Sequence, residues 1–156
     1  TVIAMINLSG ALAIDSFKGR ADDLVKLFQM AETSAAQTGK RYGIVIDFSQ
    51  NGYLLSEITT SIAMEDITDE EIIDMGWFSD RFQVSYVMFD DGQMTNNTAA
   101  MFRVGKTGWQ YGGKIVVADE NGKLYSIIVN RLSRKTDIVE GDAIIPTPRT
   151  EDEMGF

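Results

Sequence analysis

The sequence predicts an α+β domain in which one long N-terminal helix packs on antiparallel β-sheet. Two observations carry this. Phe17, Ala21, Leu24, Phe28, Ala31 and Ala35 recur at alternating steps of four and three, which draws one apolar stripe down about six turns of helix. Directly after Gly39 the apolar period drops to two, with Tyr42, Ile44, Ile46 and Phe48 on one face of the run KRYGIVIDF. A helix that ends where a strand begins can cover the sheet that strand joins.

The first residues, 1–14 (TVIAMINLSGALAI), are apolar but contain Asn7, Ser9 and Gly10 and fall short of the roughly twenty apolar residues that span a bilayer. A core helix, the remnant of a longer anchor and an irregular lead-in all stay open. With no initiator Met and no basic leader before it, the run does not read as a signal peptide. The helix is placed at about 11–38 and is strongest over 21–37. Its first half carries the bulky Phe17, Leu24, Leu27 and Phe28, each contributing roughly 2 kcal/mol on burial. Its last turns carry Ala31, Ala35 and Ala36, which allow closer approach, and Gly39 supplies a left-handed stop. Lys18, Arg20, Asp22, Lys26, Gln29 and Glu32 make the wet face.

Ser49 to Gly52 form a polar hairpin turn, and the β-rich part extends over about 41–140. Ile67 to Met75 reads as a short surface helix, with Thr68 as N-cap and Glu71 completing a capping box. Phe82 to Phe89 reads as a half-buried strand, with Phe82, Val84, Tyr86 and Met88 on one side and Gln83 and Ser85 on the other. Asn121-Gly122 predicts a hairpin joining Lys114–Ala118 to Lys123–Val129. Residues 1–145 read as one domain, and 146–156 (PTPRTEDEMGF) as an acidic, flexible tail.

Composition narrows the chemistry. At 156 residues with 44% hydrophobic content, the chain has the length for one ordinary core. It has no cysteine, hence neither disulfides nor thiolate metal sites, and no histidine, which removes the commonest general base and most zinc sites. Carboxylate chemistry stays open because 23 Asp and Glu are present. A net charge of −9 argues against a nucleic-acid groove. The one basic cluster, Arg131, Arg134 and Lys135, reads as a solvated turn.

Several motif mimics dissolve on inspection. Gly105-Lys106-Thr107 imitates the end of a P-loop, but the pattern's first glycine would fall on Ala100. Asp119 to Gly122 imitates a calcium loop, but an acid would be needed at Val117. Asn96-Asn97-Thr98 satisfies a glycosylation sequon that is frequent by chance. Catalytic residues, cofactor and metal are all expected to be none. Trp77, Trp109 and Tyr111 would serve a glycan- or cargo-binding module if exposed and coplanar, although core packing is the commoner fate of such rings.

Two stretches carry a family resemblance. LVKLFQMAETSAAQTGKRYGIVIDFSQNGYLL and FRVGKTGWQYGGKIVVADENGKLYSIIVNRLSRKTDIVEG together resemble the helix–turn–strand segment and the late strand block of GspH/FimT-type pseudopilins, in the type IV pilin-like superfamily. They cover about half the chain; Ser133 stands where that family usually has Gly, and Ile58 to Asp80 matches nothing in it. The resemblance implies a pilin-like domain and a non-enzymatic minor pseudopilin of a type II secretion system. Such a subunit would be anchored in the inner membrane through its N-terminus, with its globular domain in the periplasm. Its partners would be other pseudopilins or pilins, met through the N-terminal helix, and components of the secretion system. A minor pilin of a type IV pilus is the alternative of the same fold; a carboxylate-based hydrolase of extracellular polymers is the alternative of another class. The basic tail of the DNA-binding pilins has no counterpart in this acidic one. Glu65, Asp66, Asp69, Glu70, Glu71 and Asp74, inside the unmatched section, form the candidate partner surface.

Overall fold

Helix α1 spans Phe17–Thr38 in the computed structural model, which describes residues 16–59, 67, 69–133 and 135–145. An expected start near residue 11 lies outside the described residues. Ser16 is extended, and its Oγ accepts a hydrogen bond from the Gly19 N–H at 3.1 Å, a cap that contributes about 1 kcal/mol. At the other end Gly39 takes φ 71° and donates its N–H to the Ala35 carbonyl at 2.9 Å. That left-handed conformation is what a glycine adopts without strain. The buried face of α1 consists of Ala21, Leu24, Leu27, Phe28, Ala31 and Ala35. Phe17 is half-buried, its ring 4.5 Å from Tyr125 and 5.2 Å from Phe82.

The chain then runs through β1 (Arg41–Asp47), β2 (Gly52–Ile58), β3 (Ile72–Trp77), β4 (Gln83–Phe89) and β5 (Met94–Thr95). It continues through β6 (Ala99–Gly105), β7 (Gly108–Trp109), β8 (Gly113–Ala118), β9 (Leu124–Asn130) and β10 (Lys135–Glu140). Two five-stranded sheets result, in the orders β3-β2-β1-β6-β7 and β10-β9-β8-β4-β5, with antiparallel pairing between neighbours. The helix touches both, through β1, β6 and β7 of the first and β9 and β10 of the second. Tyr42, Ile44, Ile46, Leu55 and Phe102 face it from the first sheet, and Phe82, Val87, Ile115, Ile127 and Val129 complete the same core from the second. Asn51, at φ 49° in the first hairpin, links the sheets: its side-chain amide donates to the Phe82 carbonyl at 3.2 Å, and its backbone carbonyl accepts from Phe78 at 2.7 Å.

Two expectations require correction. The surface helix over Ile67 to Met75 is instead a single 3₁₀ turn, Asp69–Glu71, followed by β3; the cap residue Thr68 lies outside the described residues. The open edge of β2 overrides the local helix signal, because pairing Tyr53 with Gly76, Leu54 with Met75 and Leu55 with Asp74 satisfies the backbone groups that the two strands turn toward each other. The unmatched section therefore adds an edge strand and, through buried Phe78, a piece of the core.

Alternation along Phe82 to Phe89 also breaks. The pairing of β4 with β8 shifts between Val84 and Tyr86, and this bulge sends Val87 and Phe89 into the core while Tyr86 and Met88 leave it. One extra residue reverses the facing of everything after it.

Candidate functional site

The face of the first sheet that points away from α1 is built by the residues skipped in the core pattern. Met75, Leu54, Val45 and Met101 are direct cross-strand partners and form one apolar row from β3 to β6. Gly43 sits beside this row, and the Met101 terminal methyl lies across the position a Cβ would take there. Trp77, opposite Gly52, continues the apolar surface to the sheet edge and is 59% exposed. A cavity of about 370 Å³ opens here, lined chiefly by Val45, Leu54, Ile72, Met75 and Trp77, with Asp47 and Gln50 at its rim. A second of about 370 Å³ lies at the opposite edge, between Arg41, Arg103 and Trp109.

The candidate partner acids are divided between two places. Asp69 and Glu70 are exposed and Glu71 half-buried on the 3₁₀ turn, whereas Asp74 is half-buried within β3. Glu65 and Asp66 lie outside the described residues. Asp74 is on the helix-facing side of its strand, where the Tyr53 hydroxyl donates to its Oδ2 at 3.5 Å. Burial raises the Asp74 carboxyl above its ordinary range. Asp23 on α1 is raised as well, by burial first and by Asp22 and Asp74, against the lowering pull of Arg20 and Lys26. Burial, with these two acids nearby, pushes Tyr53 up to about 12. Asp23 and Asp74 line neither large cavity, so the hydrolase alternative gains no cleft from them.

The three rings weighed as a binding platform are separated. Trp77 is on β3 and Trp109 on β7, opposite edges of one sheet. Trp109 is buried, its Nε1 donating to Glu32 Oε2 at 3.3 Å. Tyr111 stands against Phe89, 6.4 Å between ring centres. No common stacking surface results.

Two polar clusters escaped the sequence reading. Arg131 is not a solvated turn residue: its Nε meets Asp90 Oδ2 at 2.8 Å, and the same buried oxygen accepts the Gly112 N–H at 3.0 Å. The other cluster is on the outer face of the second sheet, where Lys114 is only 6% exposed. Its ammonium binds Asp142 and donates to the Ala143 carbonyl at 2.7 Å, while the Tyr86 hydroxyl donates to Asp142 Oδ2 at 2.6 Å. Ser126 Oγ donates to the Gly141 carbonyl at 2.7 Å and accepts the Ala143 N–H at 2.9 Å. Residues 141–145 are thereby strapped over the sheet, which explains why Val116 and Ser126 are buried on the side away from the helix. The lone lysine in GKIVVA was a readable sign of a buried charge, but its partner 28 residues on carried no local sign.

Burial works against the Lys114 charge, but hydrogen bonds to Asp142 and Tyr86 outweigh it and raise the ammonium above its usual range. Lys114 and Tyr86 lower the Asp142 carboxyl in turn. A carboxyl lowered by folding stabilises above its unfolded pKa, about 4, and loses that contribution as pH falls through the folded value. Asp142→Asn should thus be less stable than wild type at neutral pH and converge with it as pH falls below about 4. Thermal melts across that range check this; parallel curves would show that the pair contributes nothing.

No protein-family model and no curated protein matches the chain. Among solved structures it is similar to the minor pseudopilin EpsH from the type 2 secretion system of Vibrio cholerae, at TM-score 0.55 and 10% identity, over 80% of this chain and 97% of that one. The helix laid on antiparallel sheets is thus a pilin-like α+β fold, as the resemblance implies.

Proposed function

We propose that this chain is a minor pseudopilin, a non-enzymatic subunit of a type II secretion pseudopilus. The observation that carries the reading is the likeness to the EpsH fold over nearly all of that protein. In this reading an apolar segment continues α1 toward its N-terminus, anchors the subunit in the inner membrane and later packs against the same segment of its neighbours, with the sheets in the periplasm. Among the described residues no helix is long and apolar enough to cross a membrane. The anchor would therefore be supplied by residues before α1. The complete reading frame should encode a basic leader, a Gly at the processing site and a Glu shortly after it, followed by about twenty apolar residues.

The absence of cysteine makes the test direct. Single cysteines at the exposed Lys18 and Gln29 of α1, paired with cysteines on the helices of other pseudopilins, should form oxidised cross-links in secreting cells, and deletion of the subunit should reduce protein export. Lost piliation with intact export would move the chain to a type IV pilus. No cross-link and intact export and piliation would end the filament reading.

A further inference from the structure

Strand β3 is outermost in its sheet among the described residues, so its outward N–H and C=O groups have no neighbouring strand there. Its sequence, IIDMGW, contains neither Lys nor Pro, and the bulge between Asp74 and Ile72 limits the regular part of this edge to 74–77. Ile73, Met75 and Trp77 are 47%, 49% and 59% exposed. Met75 and Trp77 alternate with Asp74 and Gly76, while a bulge between Asp74 and Ile72 leaves Ile73 unpaired and returns Ile72 to the side of Met75 and Trp77, so the edge has two chemically distinct sides over 74–77. One is apolar and continues into the row through Leu54, Val45 and Met101, with the cavity of about 370 Å³ beside it. The other carries Asp74 on the strand, with Asp23 of α1 close enough to share its field, Arg20 and Lys26 beside Asp23, and the exposed Asp69 and Glu70 at the strand's entrance.

We propose that β3 is a docking edge for an extended segment of a partner protein, which adds to the first sheet as a sixth strand. The segment alternates apolar side chains, which pack on Met75 and Trp77, with Lys or Arg side chains, which meet Asp74. Backbone hydrogen bonds along the edge provide affinity, and the two-sided chemistry selects register. A bulky apolar residue of the segment enters the cavity beside Trp77. A second copy of this chain is a poor occupant, because β3 against β3 places Asp74 and its acidic surroundings near their own like in a chain of net charge −9. A basic partner strand relieves that repulsion. The inference deepens the pseudopilin reading by stating what a partner subunit would present, but the surface chemistry stands on this chain alone.

The probe is a fluorescein-labelled peptide of about seven residues alternating Lys with Val or Ile, long enough to span β3 at about 3.3 Å per residue. Two control peptides accompany it: an isomer with the same residues in separate basic and apolar blocks, and a derivative N-methylated at alternate amides. Anisotropy titrations on the intact chain should show saturable binding of the alternating peptide. Both controls should bind about tenfold more weakly or worse, since one loses the facing and the other the backbone bonds. Met75→Lys should weaken binding about tenfold. Asp74→Asn should weaken it about threefold, with a smaller salt dependence than wild type. Both variants are first shown to melt as cooperatively as wild type.

Equal affinity for the block isomer would overturn the proposal in favour of plain charge attraction. Undiminished binding to Met75→Lys and Asp74→Asn would also overturn it, as would concentration-dependent dimerisation through β3. Peptide binding without helix cross-links in cells would leave the edge established and the filament reading wrong; cross-links without peptide binding would do the reverse.

Discussion

Phe28→Ala should destabilise the domain by about 3–5 kcal/mol, while Lys26→Ala, two positions away on the wet face, should stay within about 0.5 kcal/mol. Phe28 is 0% exposed and stands where three elements converge: its ring centre is 5.1 Å from Phe102 on β6 and 5.2 Å from Trp109 on β7. Truncation removes the transfer energy of the ring and leaves a void that helix and sheet cannot both close. At about 2–4 °C per kcal/mol for a chain of this length, melting should fall by about 10 °C. Equal losses in the two variants would show that the buried face of α1 is assigned wrongly.

Arg131→Met should cost about 3 kcal/mol, a large effect for a residue that the sequence presents as surface charge. The Asp90 side chain is only 6% exposed, and Arg131 is its cationic partner among the described residues. Breaking a buried pair from one side leaves an uncompensated charge, at about 3–5 kcal/mol. The 29% exposure of the Arg131 side chain puts this case at the lower end, because water reaches the site. Asp90→Asn introduced into Arg131→Met should recover most of the loss, since a neutral amide still accepts the Gly112 N–H. Urea melts of the two single variants and the double variant measure the coupling; strict additivity would refute the pairing as a source of stability.

What the sequence could and could not disclose follows from the range of each interaction. The period of α1 is sustained over 22 residues and β1 alternates without interruption, so both were legible. β3 was not, because Asp74 and Gly76 are poor strand formers and the cap-like Thr68 and Glu71 imitate a helix start. Only the edge of β2, distant in sequence, makes a strand of it. The bulge in β4 is equally hidden: a single extra residue leaves composition unchanged yet exchanges Tyr86 for Val87 in the core. The acids of the candidate surface could be seen as charges, but whether Asp74 faced solvent or the helix depended on the strand that the sequence concealed. Lys114 announced itself among apolar neighbours, whereas Asp90 and Arg131, 41 residues apart, announced nothing.

The packing of α1 against both sheets has a consequence for how the molecule comes apart. The inner faces of both sheets end on the same helix, and aromatic contacts such as Phe17 with Phe82 and Tyr125 tie its first turn to the second sheet while Phe28 ties its middle to the first. Neither sheet owns a separate interior. Detaching the helix opens both at once, so the smallest cooperative unit is the whole domain and a half-folded species with one sheet intact has no core to shelter in.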